Sequence, residues 1–160
     1  MNRLTFARTT PPTPGVLDWD ALSAFADGIL AERREKLPAQ VEGSAITQAA
    51  ADDRLRIAAA LAAQWRDASA GRALPDPLDY AQAYGATCNE LLAETAIIAA
   101  RAASRRAAQP GSSTAIQADL RAAALHWHQM PVADGAAYPH IWKAADHAHW
   151  AHSQRRSVAA

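Results

Sequence analysis

Residues 140–152 read HIWKAADHAHWAH, with four histidines and two tryptophans in thirteen positions. Imidazole ligates zinc and carries protons near neutral pH, so the segment raises metal and acid–base chemistry at once. On a helix, Ile141, Ala145, Ala148 and His152 share one face with Trp142 and His149 at its flanks, while His140 and His147 share another. No three of these histidines converge. Asp146 with His149, or His149 with His152, offers two ligands one turn apart, and His126 or His128 must supply the rest from the preceding helix. The spacing of His126 and His128 turns their rings about 160° apart on a helix, so one ion does not take both. A zinc-dependent hydrolase built on His126 or His128, Asp146, His149 and His152 is the enzymatic alternative. The expectation for the segment is structural: Trp127, Trp142 and Trp150 pack the ends of a bundle, the histidines fill rim positions with their polar tips outward, and no cofactor is required.

Two further patterns could do chemistry. Glu32 with Glu35, and Glu90 with Glu94, resemble the paired acids with which helical nucleotide pyrophosphohydrolases hold magnesium. Glu32 and Glu35, however, interleave with Arg33, Arg34 and Lys36, the pattern of a solvated helix face. No glycine-rich phosphate loop and no Ser/His/Asp or Cys/His arrangement is present. Arg101, Arg105 and Arg106 cluster towards the end of one predicted helix, and Arg155 and Arg156 towards the end of the last. Cations there complement the partial negative charge of a helix C-terminus, and a nucleic-acid patch arises only if the two ends lie side by side. The chain therefore reads as non-enzymatic, with weak nucleic-acid binding through those arginines as a second alternative.

The elements that must position these residues are helical. Of 160 residues half are apolar, much of that alanine, so helices approach closely through small side chains with Leu, Ile and Trp as occasional large plugs. This length suits one domain with a core that needs no staples. Sixteen Lys+Arg balance sixteen Asp+Glu, so no overall field draws the chain to nucleic acid or an anionic membrane. The single cysteine, Cys88, excludes an internal disulfide and a thiolate zinc cluster and points to a reducing compartment. No apolar run is long enough to span a membrane and the N-terminal stretch lacks an apolar signal core, so the expected location is the cytoplasm.

Residues 1–15 carry Pro11, Pro12 and Pro14 between threonines and predict an extended or disordered arm, with a single α-helical domain over 16–158. The first helix is expected at 18–36, capped by Asp18, striped by Leu22, Phe25, Ile29 and Leu30, and ended by Pro38. Thr47 caps a second helix with a stripe of Leu55, Ala58, Ala62 and Trp65, broadened by Ile57 and Leu61. Asp76 and Pro77 open a third, running unbroken to about Ala108 along Tyr80, Tyr84, Cys88, Leu91, Thr95 and Ile98. Ser112, Ser113 or Thr114 caps a fourth through Ile116, Leu120 and Trp127 to Met130, and the last covers 139–156. The pattern is that of an all-α bundle of about five helices.

The first hairpin, RREKLPAQVEGSAITQAAAD at 33–52, resembles a stretch found in small, uncharacterised helical proteins of tailed phages and prophages. Arg33, Arg34, Pro38, Val41, Ile46, Thr47, Ala51 and Asp52 fall in register, whereas Ser44 stands where that pattern has glycine and Leu37 where an aromatic is usual. The resemblance implies a phage or mobile-element origin, hence a host-cytoplasm location, and no particular activity. Together these observations point to a binding or assembly factor. Its partner is an unidentified protein, with Trp142, Trp150, Arg155 and Arg156 as candidate contact residues; self-association is compatible with the pattern and membrane binding is not.

Overall fold

Helix starts in this chain are set by short oxygen-bearing side chains that accept from backbone N–H groups left over at a helix N-terminus. In the computed structural model, which describes residues 18–72 and 80–130, Asp18 accepts from the Ala21 N–H at 3.1 Å and opens α1, Trp19–Glu42. Thr47 accepts from Ala50 at 3.2 Å and opens α2, Gln48–Ser69. After the short α3, Tyr80–Tyr84, Thr87 opens α4, Cys88–Ala108, and Ser112 opens α5, Ser113–Gln129. The fold is all-α, with five helices and no strand among the described residues. The predicted arm at 1–15, the predicted start of the third helix at Asp76 and Pro77, and the predicted helix at 139–156 lie outside those residues.

Two expected boundaries are corrected. Pro38 does not end the first helix, which continues to Glu42 with Pro38 inside it. Proline removes the hydrogen bond to the carbonyl four residues back, but Pro38 and Arg34 are both exposed, so that carbonyl stands on the solvent side. Burial of Leu37 holds the last turns in place. The true end is a wrap of backbone bonds: Gly43 N–H to Ala39, Ser44 N–H to Val41 and Ala45 N–H to Gln40, at 3.0, 2.9 and 2.9 Å. Ser44 takes φ 56°, the left-handed conformation that favours glycine.

The predicted third helix is instead two. Gly85, at φ 89°, turns the chain after Tyr84, and Thr87 begins again with a reciprocal cap in which Glu90 accepts from the Thr87 N–H at 2.7 Å. The stripe survives the break: Tyr84 and Cys88 pack against the core, Leu91 and Thr95 are buried, and Ile98 packs partly on the same core.

The packing joins two antiparallel hairpins, α1 with α2 and α4 with α5. Ser69 of α2 reaches back to Asp20 of α1, and Arg106 of α4 meets Asp119 of α5 at 2.8 Å. Close approach runs through alanines, as the composition predicts: Ala26, Ala58, Ala60, Ala62, Ala122 and Ala124 are almost fully buried. The hairpins close on each other around Trp19, Leu22, Leu61, Trp65, Leu91 and Leu125. Within this core Gln64 and Gln129, both fully buried, exchange side-chain amide hydrogen bonds between α2 and α5. A buried amide pair satisfied by another amide fixes the register of the two helices.

Candidate functional site

Away from that core, α1 and α4 are not closely packed partners, and a groove of about 590 Å³ runs between them. Its walls follow from helical periodicity, since residues four apart form ridges along a helix surface. On α1 one ridge is Phe25, Ile29, Arg33 and Leu37, and the next is Gly28, Glu32, Lys36 and Gln40. On α4 the ridges are Glu94, Ile98 and Ala102, and Ile97, Arg101 and Arg105. Arg54 of α2 and Ala118 of α5 complete the lining.

Arg33 and Glu94 pair across the seam, with side chains only 14% and 9% exposed. Arg33 also donates to the backbone carbonyl of Arg54 at 2.9 Å, so one guanidinium ties α1 to both α4 and α2. Lys36 donates to Glu32 at 2.5 Å and holds that carboxyl below the ordinary glutamate range; burial opposes the shift, and the charges of Arg105 and Arg33 assist it. Both groove carboxylates thus already have cations. Arg54, Arg101 and Arg105 make no ion pair among the described residues, which leaves five cations against two carboxylates around an apolar floor. Ile97, 46% exposed, stands beside Arg101 as the one large apolar side chain left so open among the described residues.

The chain matches no family model, no curated protein and no solved structure.

The sequence-predicted site residues distribute unevenly. His128 does not sit at a rim: it is fully buried, with ring centroids 4.6 Å from Trp19, 5.4 Å from Trp65 and 5.0 Å from Trp127. The reason is phase, because the buried face of α5 runs through Ala122, Leu125, His128 and Gln129 and puts Trp127 at its flank. His126 points elsewhere, its Nδ1 3.1 Å from the Thr95 hydroxyl. The two rings diverge as their spacing requires, and among the described residues no three His, Cys, Asp or Glu side chains gather as a metal would need. Asp146, His149 and His152, and with them Trp142, Trp150, Arg155 and Arg156, lie outside the described residues. The arginine cluster on α4 divides: Arg106 turns to Asp119, while Arg101 and Arg105 line the groove.

Of the groove residues, the sequence marked Arg101 and Arg105 as clustered cations and Glu32 and Glu94 as members of two separate acid pairs, but not Arg33, Lys36 and Ile97 as parts of one site. One available signal was the adjacent pair Ile97 and Ile98, which are about 100° apart on a helix and so do not both face one core. No helix among the described residues is long and apolar enough to cross a membrane.

Proposed function

We propose that this protein is a non-enzymatic binding or assembly factor that takes part of a partner protein into the α1–α4 groove. The observation that carries the reading is the groove itself, with Ile97 left open beside Arg101 and Arg105, five cations against two carboxylates, and a wall held in place by the Arg33–Glu94 pair. A groove with an apolar floor, Ile97 open at its lip and a rim on which cations outnumber carboxylates has the character of an interaction site, and a rigid wall lowers the ordering cost of binding. The apolar floor of Phe25, Ile29 and Ile98 supports a protein partner over a nucleic acid, whose phosphates would use only the cations. The resemblance of residues 33–52 to tailed-phage hairpins, with the left-handed Ser44 at the glycine position, supports a phage or mobile-element origin.

The test is site-specific photo-crosslinking. Ile97→p-benzoylphenylalanine, irradiated in cells that naturally carry the gene, is expected to give a discrete adduct with one other protein, identified by mass spectrometry. The same probe at Ala24, exposed on α1 outside the groove lining, is expected to give none. Equal labelling from both positions, or none from Ile97, would overturn the reading.

A further inference from the structure

The groove has the form of a place left for one more helix. Its two walls are ridges of residues four apart, the surface into which the side-chain rows of a third helix pack. At about 1.5 Å rise per residue, the lining stretches 25–40 of α1 and 94–105 of α4 extend about 22 Å and 16 Å. That length accommodates a helix of roughly 11–15 residues, three to four turns. The floor of Phe25, Ile29 and Ile98, with Ile97 at the lip, presents apolar surface over part of this length, and charged side chains line the remainder, as in helix-in-groove recognition of an amphipathic partner.

Charge decides what kind of helix. Arg33 and Lys36 pair directly with Glu94 and Glu32, and Arg105 acts on Glu32 only through its charge, so the five cations of the lining exceed its two carboxylates by three. Arg101 and Arg105 are one turn apart, which places their guanidinium groups to meet carboxylates one turn apart on an antiparallel or parallel neighbour. We infer that the occupant of the α1–α4 groove is an acidic amphipathic helix of a partner protein. Its apolar stripe lies on Phe25, Ile29 and Ile97, and its flanking Asp or Glu side chains meet Arg101 and Arg105.

Two other candidate occupants lack the complementary charge. Residues 139–156 of this chain carry Lys143, Arg155 and Arg156 against Asp146 alone, and would bring cations to a cationic groove. A second copy meeting groove to groove would oppose the two arginine rows. The inference rests on the partner-binding reading above and adds the chemistry of the partner, so the experiment separates the two.

The probe is a fluorescein-labelled synthetic peptide of about 15 residues, with leucines recurring at i, i+3, i+4 and i+7 and glutamates beside them. Three ligands serve for comparison: the same peptide with every glutamate replaced by lysine, a scrambled acidic peptide of identical composition, and an oligothymidylate. Fluorescence anisotropy with the full chain is expected to show saturable binding of the amphipathic acidic peptide only. That binding should weaken as salt rises from about 0.05 to 0.2 M, since rim charges are screened over such distances. Arg101→Glu with Arg105→Glu should weaken it at least about tenfold, as two reversed ion pairs imply, and should transfer binding to the lysine peptide. That exchange of preference cannot come from misfolding, and an unchanged far-UV spectrum checks the fold directly. The inference is overturned if the lysine or scrambled peptide binds the unaltered protein as tightly as the acidic one. It is also overturned if the oligothymidylate binds more tightly and displaces the peptide, or if no peptide binds at all. In each such case an Ile97 crosslink to a protein leaves the partner-binding reading standing, and its absence removes both.

Discussion

Arg33 and Glu94 pair across the α1–α4 seam, 61 residues apart in sequence, on the wall of the groove proposed to hold a partner. Removing one member of a buried pair leaves the other charge without compensation, which costs about 3–5 kcal/mol. Glu94→Gln is therefore expected to destabilise towards the lower end of that range, because the pair borders an open groove. Arg33→Met with Glu94→Leu should recover part of the loss, since replacing both charges by apolar groups of similar size is often neutral while the Arg54 carbonyl loses its Arg33 donor. Chemical denaturation of the single and double variants measures this. A double variant no more stable than Glu94→Gln would show that relieving the stranded charge does not offset the loss of the Arg33 bond to the Arg54 carbonyl.

The aromatic core gives a second expectation. Trp65 is fully buried, stacked on Trp19 at 5.9 Å between centroids and edge-on to His128. Trp65→Ala should cost about 3–5 kcal/mol through lost burial and the cavity left behind. His128→Phe keeps an aromatic ring of comparable shape and should be better tolerated than His128→Ala, as the midpoint of thermal unfolding would report. Equal losses in the two His128 variants would mean that the imidazole nitrogens, and not the ring's volume, matter there.

The α1–α2 turn tests the glycine position. Ser44 at φ 56° bears the penalty that a side chain incurs in the left-handed region, about 1 kcal/mol or more, partly offset because serine has less freedom than glycine to lose on folding. Ser44→Gly is therefore expected to stabilise the protein by a few tenths to about 1 kcal/mol. A loss of stability in urea unfolding would contradict that account of the turn.

At the far side of the same turn, Thr47→Ala removes the acceptor for the Ala50 N–H and should cost about 1 kcal/mol, whereas Thr47→Ser should cost little. Equal denaturation midpoints for the threonine and alanine forms would show that the cap contributes nothing.

These residues also show what could be read from the sequence and what could not. Caps are local, so Asp18, Thr47 and Ser112 announce their helices within one turn of chain, and the stripe of Ala58, Leu61, Ala62 and Trp65 announces which face of α2 is buried. Thr87 and Glu90 carried the same local signal, a Thr-x-x-Glu box just past Gly85, but it lay inside a helical stripe that continues on both sides of the break. Pro38 misled because the rule that proline ends helices weighs less at an exposed position where the next turn is anchored by a buried Leu37. Arg33 was hidden for a different reason. Its neighbours Glu32, Arg34, Glu35 and Lys36 describe a solvated face, and only tertiary folding brings Glu94 to it. The groove is likewise a relation between two helices distant in sequence, so its cations were legible singly but not as one site.

The last prediction concerns acid. Glu90 accepts from Arg56 at 2.5 Å, from the Thr87 N–H at 2.7 Å and from the Thr87 hydroxyl at 3.0 Å. The Arg56 bond first, then the backbone N–H, hold its carboxyl well below the ordinary value of 4.5, at about 2, against a smaller opposing effect of burial. A carboxyl that binds its proton less readily in the folded chain than in the unfolded one stabilises the fold in its ionised form. That contribution is complete above pH 4.5 and is lost as the pH falls towards 2. With its side chain 36% exposed, Glu90 is partly screened, so the effect should shrink as salt is added. Glu90→Gln keeps an oxygen to accept at the cap but has no charge to lose. Its urea midpoint should lie below that of the unaltered protein at neutral pH, and the gap should close across the acid window. Parallel curves for the two proteins throughout that window would mean that Glu90 is held no more tightly in the fold than in the unfolded chain.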